Sequence, residues 1–165
     1  MAQGYTRGIP TDSDGTLTNN SDFLVPTQKA VKTYVATVAA GISASTSGAI
    51  GIVIDGGGNT ITTGIKGYII VPYACVLNNY SLIGDQTGSI VIDVWKIAAG
   101  TTLPAVGNSI TGGNYPTLTS TTAVNNQALT SWTTVAVTAY DMFAFNVVSV
   151  ATLTKASLSI RVTKS

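Results

Sequence analysis

The alternation of apolar and polar residues over residues 50–165 constrains the fold of this chain more than any other feature. Ser89–Lys96 alternates in this way, and so do Leu158, Ile160 and Val162 with their polar neighbours. A period of two residues places successive side chains on opposite faces of a β-strand. About eight such runs without an intervening helical pattern indicate a mainly β fold, a C-terminal β-sandwich of the jelly-roll-like kind.

Turn signals divide this region into expected strands. Gly84–Gly88 reads Gly-Asp-Gln-Thr-Gly and predicts a turn that joins Cys75–Ile83 to Ser89–Lys96 as a hairpin. Residues 98–128 are rich in glycine and proline, so they predict a long loop region. Loops of that length in a compact domain are usually functional or contain short irregular strands.

The residue types present exclude most catalytic chemistry. The chain has no histidine and no glutamate, and charged residues are only 9% of it. Ser-His-Asp catalysis and histidine-ligated zinc are therefore excluded, and no catalytic residue, metal site or cofactor is predicted. The single cysteine, Cys75, predicts a buried thiol without a disulfide. Asp93 lies within a predicted strand and predicts a buried or interface hydrogen bond, whereas Asp55, Asp85 and Asp141 are expected at strand ends, where aspartate often forms turns.

Charge and hydropathy limit the expected partners. The net charge is +1 and no basic run is present, which argues against nucleic-acid binding. No apolar run is long enough to span a bilayer, and the N-terminus lacks the apolar core of a signal peptide. Membrane insertion is therefore not expected.

The first third of the chain has a different organisation. Residues 1–24 are rich in turn-forming residues and predict an extended N-terminal arm. Residues 25–41 predict one short helix, with Pro26 in its first turn and Gly41 at its end. Residues 42–49 are small and polar and predict a linker.

The predicted helix carries an apolar stripe at heptad spacing, with alternating steps of four and three residues after its second member. The residues of this stripe are Leu24, Val31, Val35, Val38 and Ile42. The stripe has two interpretations from the residues alone. The helix packs against its own β-domain, or it forms a short trimeric bundle with two other copies.

Two parts of the chain resemble bacteriophage proteins. SDFLVPTQKAVKTYV at residues 21–35 resembles a segment that recurs in phage tail fibres and other virion appendages. GIKGYIIVPYACVLNNYSLIGDQTGSIVIDVWK and SWTTVAVTAYDMFAFNVVSV resemble a small β-sandwich domain of phage fibre and tail-associated proteins.

These resemblances imply a non-enzymatic structural protein of the virion, assembled in the host cytoplasm. The implied form is a short homotrimeric fibre or a capsid-decorating appendage, which favours the trimeric interpretation of the helix. Its N-terminal arm would dock onto other capsid or tail proteins. The arm residues expected to make this contact are Tyr5, Arg7, Ile9 and Pro10.

A second functional hypothesis is a lectin-like module that recognises host surface glycan. Sugar-binding sandwiches use exposed aromatic rings and amide side chains, and the candidates are Asn114, Tyr115, Asn125, Asn126 and Trp132. The alternative for the aromatic members is structural, because tryptophan is usually buried. In that case Trp132 belongs to the core and Tyr115 packs on a loop.

Overall fold

The structure is a computed structural model that describes residues 11–12, 25–43, 46–100 and 102–164. The side chains of residues 11, 12, 25 and 41–43 are not described. The chain divides into two compact units, residues 1–45 and 46–165. The predicted docking residues of the arm and Leu24 of the stripe lie outside the described residues.

Residues 11–12 and 25–43, the described part of the first unit, form a helix and a short ladder. Strand β1, Thr11–Asp12, pairs in parallel with strand β2, Val25–Pro26. Helix α1 follows at Gln28–Ser43. It begins two residues after Pro26 and continues through Gly41, so both predicted boundaries were wrong.

Thr27 explains where α1 begins. Its hydroxyl accepts a hydrogen bond from the backbone N–H of Ala30 at 3.1 Å, and its carbonyl accepts one from Val31 at 3.0 Å. A threonine in this position satisfies a backbone donor that the first turn leaves without a partner. The N-terminus of the helix is therefore determined by this cap, and Pro26 remains in β2.

The second unit is the β-sandwich, and its antiparallel strands form one curled sheet. The strands are β3 Ser47–Asp55, β4 Gly64–Ile70, β5 Cys75–Ile97, β6 Thr117–Ala128, β7 Ala136–Val137, β8 Met142–Ala151 and β9 Lys155–Lys164. The predicted mainly β fold with a C-terminal sandwich is confirmed. The sandwich begins at residues 46–47, where the last part of the linker was expected.

The central strand β5 belongs to both layers of the sandwich. Its first half, Cys75–Gly84, pairs with β9, and its second half, Ser89–Ile97, pairs with β8. Strand β6 follows the opposite edge of β5 across both halves. The outer strands β3 and β4 pair with β9 and β8 respectively. The two layers enclose one core, which includes Phe143, Phe145, Ile92, Leu158 and Ile160.

The predicted hairpin at Gly84–Gly88 was wrong. These residues form a bend inside the continuous strand β5, and its two halves pair with β8 and β9 instead of with each other. Leu153, which is fully buried between β8 and β9, packs against Gly84 and Gly88. The absence of side chains at the two glycines makes room for this leucine at the bend.

The predicted loop region 98–128 contains a long strand. Strand β6 occupies Thr117–Ala128, although its sequence is mostly threonine, serine, asparagine and alanine. Only Leu118 in this strand is fully buried. The strand contributes little to the core, so its sequence shows only a weak alternation of apolar and polar residues.

Strand register gives the sandwich two distinct ends. At one end, which we call the base, Ser47 pairs with Thr163, and Cys75 pairs with Lys164. Ile70 belongs to the same end, because only residues 71–74 separate β4 from β5. At the opposite end, which we call the corner, lie the β5 bend and the connection between β8 and β9. The chain enters the sandwich at its base, through Ser47.

Candidate functional site

Helix α1 exposes an apolar face. Val31, Val35 and Val38 of the predicted stripe are exposed on this face, and Val35 is 58% exposed. Tyr34 lies on the same face, because residues three and four positions apart are neighbours on a helix. The heptad pattern did not include Tyr34, although its spacing from Val31 and Val38 identifies it. The side chain of Ile42 is not described.

A second apolar surface lies on the outer face of β4. Ile65, Tyr68 and Ile70 are exposed there, and register places them beside Asn146, Ala144 and Met142 of β8. The opposite face of β4 points into the sandwich, where Gly67 approaches the side chain of Ile52. Sequence reasoning missed this surface because residues 68–71 are apolar on both faces, so the pattern does not show which side is solvated.

The predicted glycan residues do not present an exposed aromatic ring at Trp132. Trp132 is 8% exposed and belongs to the core, and its indole N–H donates to the carbonyl oxygen of Asn114 at 3.0 Å. The Asn114 amide in turn donates to the carbonyl and hydroxyl oxygens of Thr130. The expectation that Trp132 serves as a sugar-stacking ring was wrong, and its structural alternative is confirmed.

The remaining glycan candidates lie along different halves of β5. Asn125 and Asn126 are exposed on the part of β6 that pairs with the first half, where the backbone N–H of Asn126 donates to the Ser81 hydroxyl at 3.2 Å. Tyr115 is half-buried and adjoins Pro116, whose carbonyl accepts a hydrogen bond from Ile92 in the second half. The five candidates therefore do not form a single site.

Asp93 makes the buried hydrogen bonds that its position in a strand predicts. Its carboxylate accepts from the Trp95 indole at 2.7 Å, the Ser109 hydroxyl at 2.6 Å and the Thr111 hydroxyl at 2.8 Å. Asp93 is almost completely buried. This cluster, which we call the Asp93 cluster, attaches residues 109–111 to the outer face of β5.

Asp141 and Asp55 lie at strand ends as predicted and also have structural partners, whereas Asp85 lies inside the continuous strand β5. Asp141 is buried and pairs with Lys96 at 2.7 Å, while it accepts a hydrogen bond from the backbone of Thr138. Asp55 pairs with Lys155 at 3.4 Å on the surface. No group of three or more histidine, cysteine, aspartate or glutamate side chains is placed to hold a metal among the residues that the structure describes.

Cys75 is the buried thiol that its apolar neighbours predict. The pKa of this thiol is raised by burial and further by the negative charge of Asp141. A raised pKa keeps the thiol protonated, and the thiolate is the nucleophilic form. The buried Cys75 thiol is therefore a weak nucleophile.

Asp85 at the corner makes the stability of the fold depend on pH. The Thr154 hydroxyl donates to its carboxylate, as does the Thr154 backbone N–H at 3.2 Å. The hydroxyl contact is the largest cause of a pKa below the ordinary value of 3.8. Because the folded pKa is lowered, the stabilisation is complete above the pKa of the unfolded chain and is lost as pH falls through the folded pKa.

We therefore expect Asp85→Asn to be less stable than the original chain near neutral pH. The difference should shrink as the pH falls through the folded pKa of Asp85, and it should vanish once the carboxylate is protonated in both states. Urea unfolding of both proteins at several pH values measures it. A difference of constant size across the whole range would contradict the assignment.

No helix among the described residues is long and apolar enough to cross a membrane. Comparison of the chain with protein-family models, curated proteins and solved structures found no match.

Proposed function

We propose that this chain is a structural component of a bacteriophage particle, a short homotrimeric fibre or capsid-decorating appendage that is anchored through its N-terminal region. The observation that carries the proposal is the exposed apolar face of α1, formed by Val31, Tyr34, Val35 and Val38. This face lies within and just beyond the segment that resembles those of phage appendages. The proposed location in the virion rests on the resemblance to phage proteins, and the proposed self-association rests on the exposed apolar face of α1.

The spacing of the exposed face favours self-association. Val31, Val35 and Val38 are separated by four and three residues, which is the spacing of the apolar seam in bundles of parallel helices. Short isolated helices are only marginally stable in water, and most of their stability comes from packing of the apolar face. A helix of 16 residues that leaves this face in water therefore gains stability when copies pack together.

The sandwich supports a structural role because its polar groups serve the fold. The buried carboxylates of Asp93 and Asp141 are occupied by internal hydrogen bonds and an ion pair. No buried side-chain nitrogen or oxygen atom lacks a hydrogen-bond partner in the described part of the chain. A domain whose buried polar groups are satisfied internally suits a part of a particle that projects from an attachment point.

The test is the mass of the full chain in solution, measured by light scattering. We expect a trimer for the original chain and a monomer for the variant Val31→Gln, Val35→Gln, Val38→Gln, because glutamine keeps helix propensity but removes the apolar face. A matched control replaces Thr33, Ala36 and Ala40 with glutamine on the opposite face of α1 and should remain trimeric. If the original chain is a monomer at every concentration, the trimeric appendage is excluded.

A further inference from the structure

We infer that the base of the sandwich contains a second self-association surface, formed by Tyr68, Ile70 and Tyr140, which contacts another copy of this chain. The inference rests on the proposed function, since it extends assembly from α1 into the β-domain. It identifies the part of the domain that lies against its neighbours.

These residues are exposed at neighbouring backbone positions at the base. Ile70 is 62% exposed, Tyr140 is 61% exposed and Tyr68 is also exposed. Tyr68 and Ile70 alternate along the outer face of β4, and Ile70 pairs with Met142 of β8. Tyr140 lies two residues before Met142, and its backbone N–H donates to the carbonyl oxygen of Val71 at 2.6 Å. Backbone pairing thus places the three residues at neighbouring positions.

The strand that carries this surface also ends the sheet. Strand β4 is the last strand in the order β3-β9-β5-β8-β4. An edge strand with exposed apolar side chains is a site of association unless it is covered or charged. The only charged residue of β4 is Lys66, whose ammonium group donates to the Thr62 hydroxyl and the Thr63 carbonyl. Its position therefore leaves the Tyr68–Ile70 end of the strand without a charge of its own.

Burial of the base against another copy would not leave the charges of Lys96 and Asp141 unpaired without water, because these two groups already pair with each other. Asp141 directly precedes Met142, the register partner of Ile70, and Lys96 lies on β5 opposite Phe143. Lys96 and Asp141 form an ion pair at 2.7 Å. A surface whose nearby charges are already paired avoids most of the desolvation cost that opposes interfaces with unpaired charges. Its large aromatic and aliphatic side chains are those that supply most of the energy at interfaces.

Chain connectivity identifies a second copy as the occupant. Three peptide links join Ser43, the end of α1, to Thr46, so these residues are separated by at most about 11 Å. Thr46 precedes Ser47, which lies at the base. Association of three helices would therefore hold three sandwich bases near one another, at an effective concentration on the order of millimolar. Any other partner would have to compete with the neighbouring copies, which the associated helices hold close to this surface.

The corner offers a matched comparison. Val53 and Ile83 are also exposed, and Val53 is 72% exposed. They lie on β3 and β5, the two strands that flank β9 in the other layer, and both are beside Ser157 of β9. Because Val53 is six residues along β3 from Ser47, it is about 20 Å from the point where the chain enters. Connectivity does not bring this apolar pair close to another copy.

The experiment compares two variants of the full chain, Tyr68→Ser with Ile70→Ser at the base and Val53→Ser with Ile83→Ser at the corner. Circular dichroism first establishes that both are folded, and dilution followed by sedimentation measures the concentration at which half of the trimer has dissociated. We expect the base variant to raise this concentration at least about tenfold. The corner variant should stay within about threefold of the original chain.

The outcomes separate this inference from the proposed function. If the original chain is trimeric and both variants dissociate at the same concentration, the base is not an interface, while the trimer of α1 stands. If the original chain is monomeric, the proposed trimer fails and the base interface fails with it. If the base variant does not fold, Tyr140→Ser, which changes only a turn residue, replaces it, and the same tenfold threshold applies.

Discussion

Replacement of Gly88 by valine should lower the free energy of unfolding by about 3 kcal/mol or more. A Cβ atom at this position would lie 2.6 Å from the Thr152 hydroxyl, 2.7 Å from the Leu153 side chain and 2.8 Å from the backbone oxygen of Ala151. The backbone oxygen cannot rotate away, and Leu153 has no free volume because it is fully buried. The bend of β5 would therefore have to open.

Gly107→Val is the matched control for this prediction. No atom lies within 4 Å of a Cβ built on Gly107, so its replacement should change the stability by less than about 0.5 kcal/mol. Urea denaturation of the two variants and the original chain measures both effects. Equal unfolding midpoints for Gly88→Val and Gly107→Val would contradict the role assigned to Gly88 at the corner.

Asp93→Ala should also cause a large loss in the free energy of unfolding. This change removes the acceptor for the Trp95 indole and for the Ser109 and Thr111 hydroxyls, all of which donate to the carboxylate. Buried donors without a partner cost about 1–3 kcal/mol each, and the two hydroxyls partly compensate by bonding to each other at 3.1 Å. We expect a loss of about 3 kcal/mol in the free energy of unfolding.

Two comparisons make the Asp93 experiment specific. Asp93→Asn keeps one carbonyl oxygen as an acceptor, so its loss should be smaller than that of the alanine variant. Asp55→Asn removes a surface ion pair with Lys155, which should change stability by less than about 1 kcal/mol. If Asp93→Ala unfolds at the same urea concentration as Asp55→Asn, the cluster does not stabilise the fold as described.

The strands of the sandwich were predictable where one face is buried and the other is wet. Strand β9 is an example, because Leu158, Ile160 and Val162 are buried and their neighbours are polar. The bend of β5 was not predictable in this way. Glycine and aspartate at residues 84–88 suit a tight turn as well as a bend. The choice between the two depends on β8 and β9, which lie far away in the sequence.

The candidate surfaces were also predictable from the sequence only in part. The spacing of Val31, Val35 and Val38 predicted their common helix face, since that face depends only on local geometry. The exposure of Ile70 was not readable from the sequence, and the burial of Trp132 was only one of two interpretations that the sequence left open. Both depend on which residues from distant parts of the chain cover them, and composition alone does not contain this information.

The shared strand β5 also determines when the domain can form during protein synthesis. Cys75 at its start pairs with Lys164, which leaves the ribosome 89 residues later. Until β8 and β9 emerge, the long central strand has one edge without its partners. Such an edge is exposed to other nascent chains, and topologies rich in distant pairings fold slowly. The domain therefore completes its layers only after translation of its last strand, and aggregation competes most strongly just before that point.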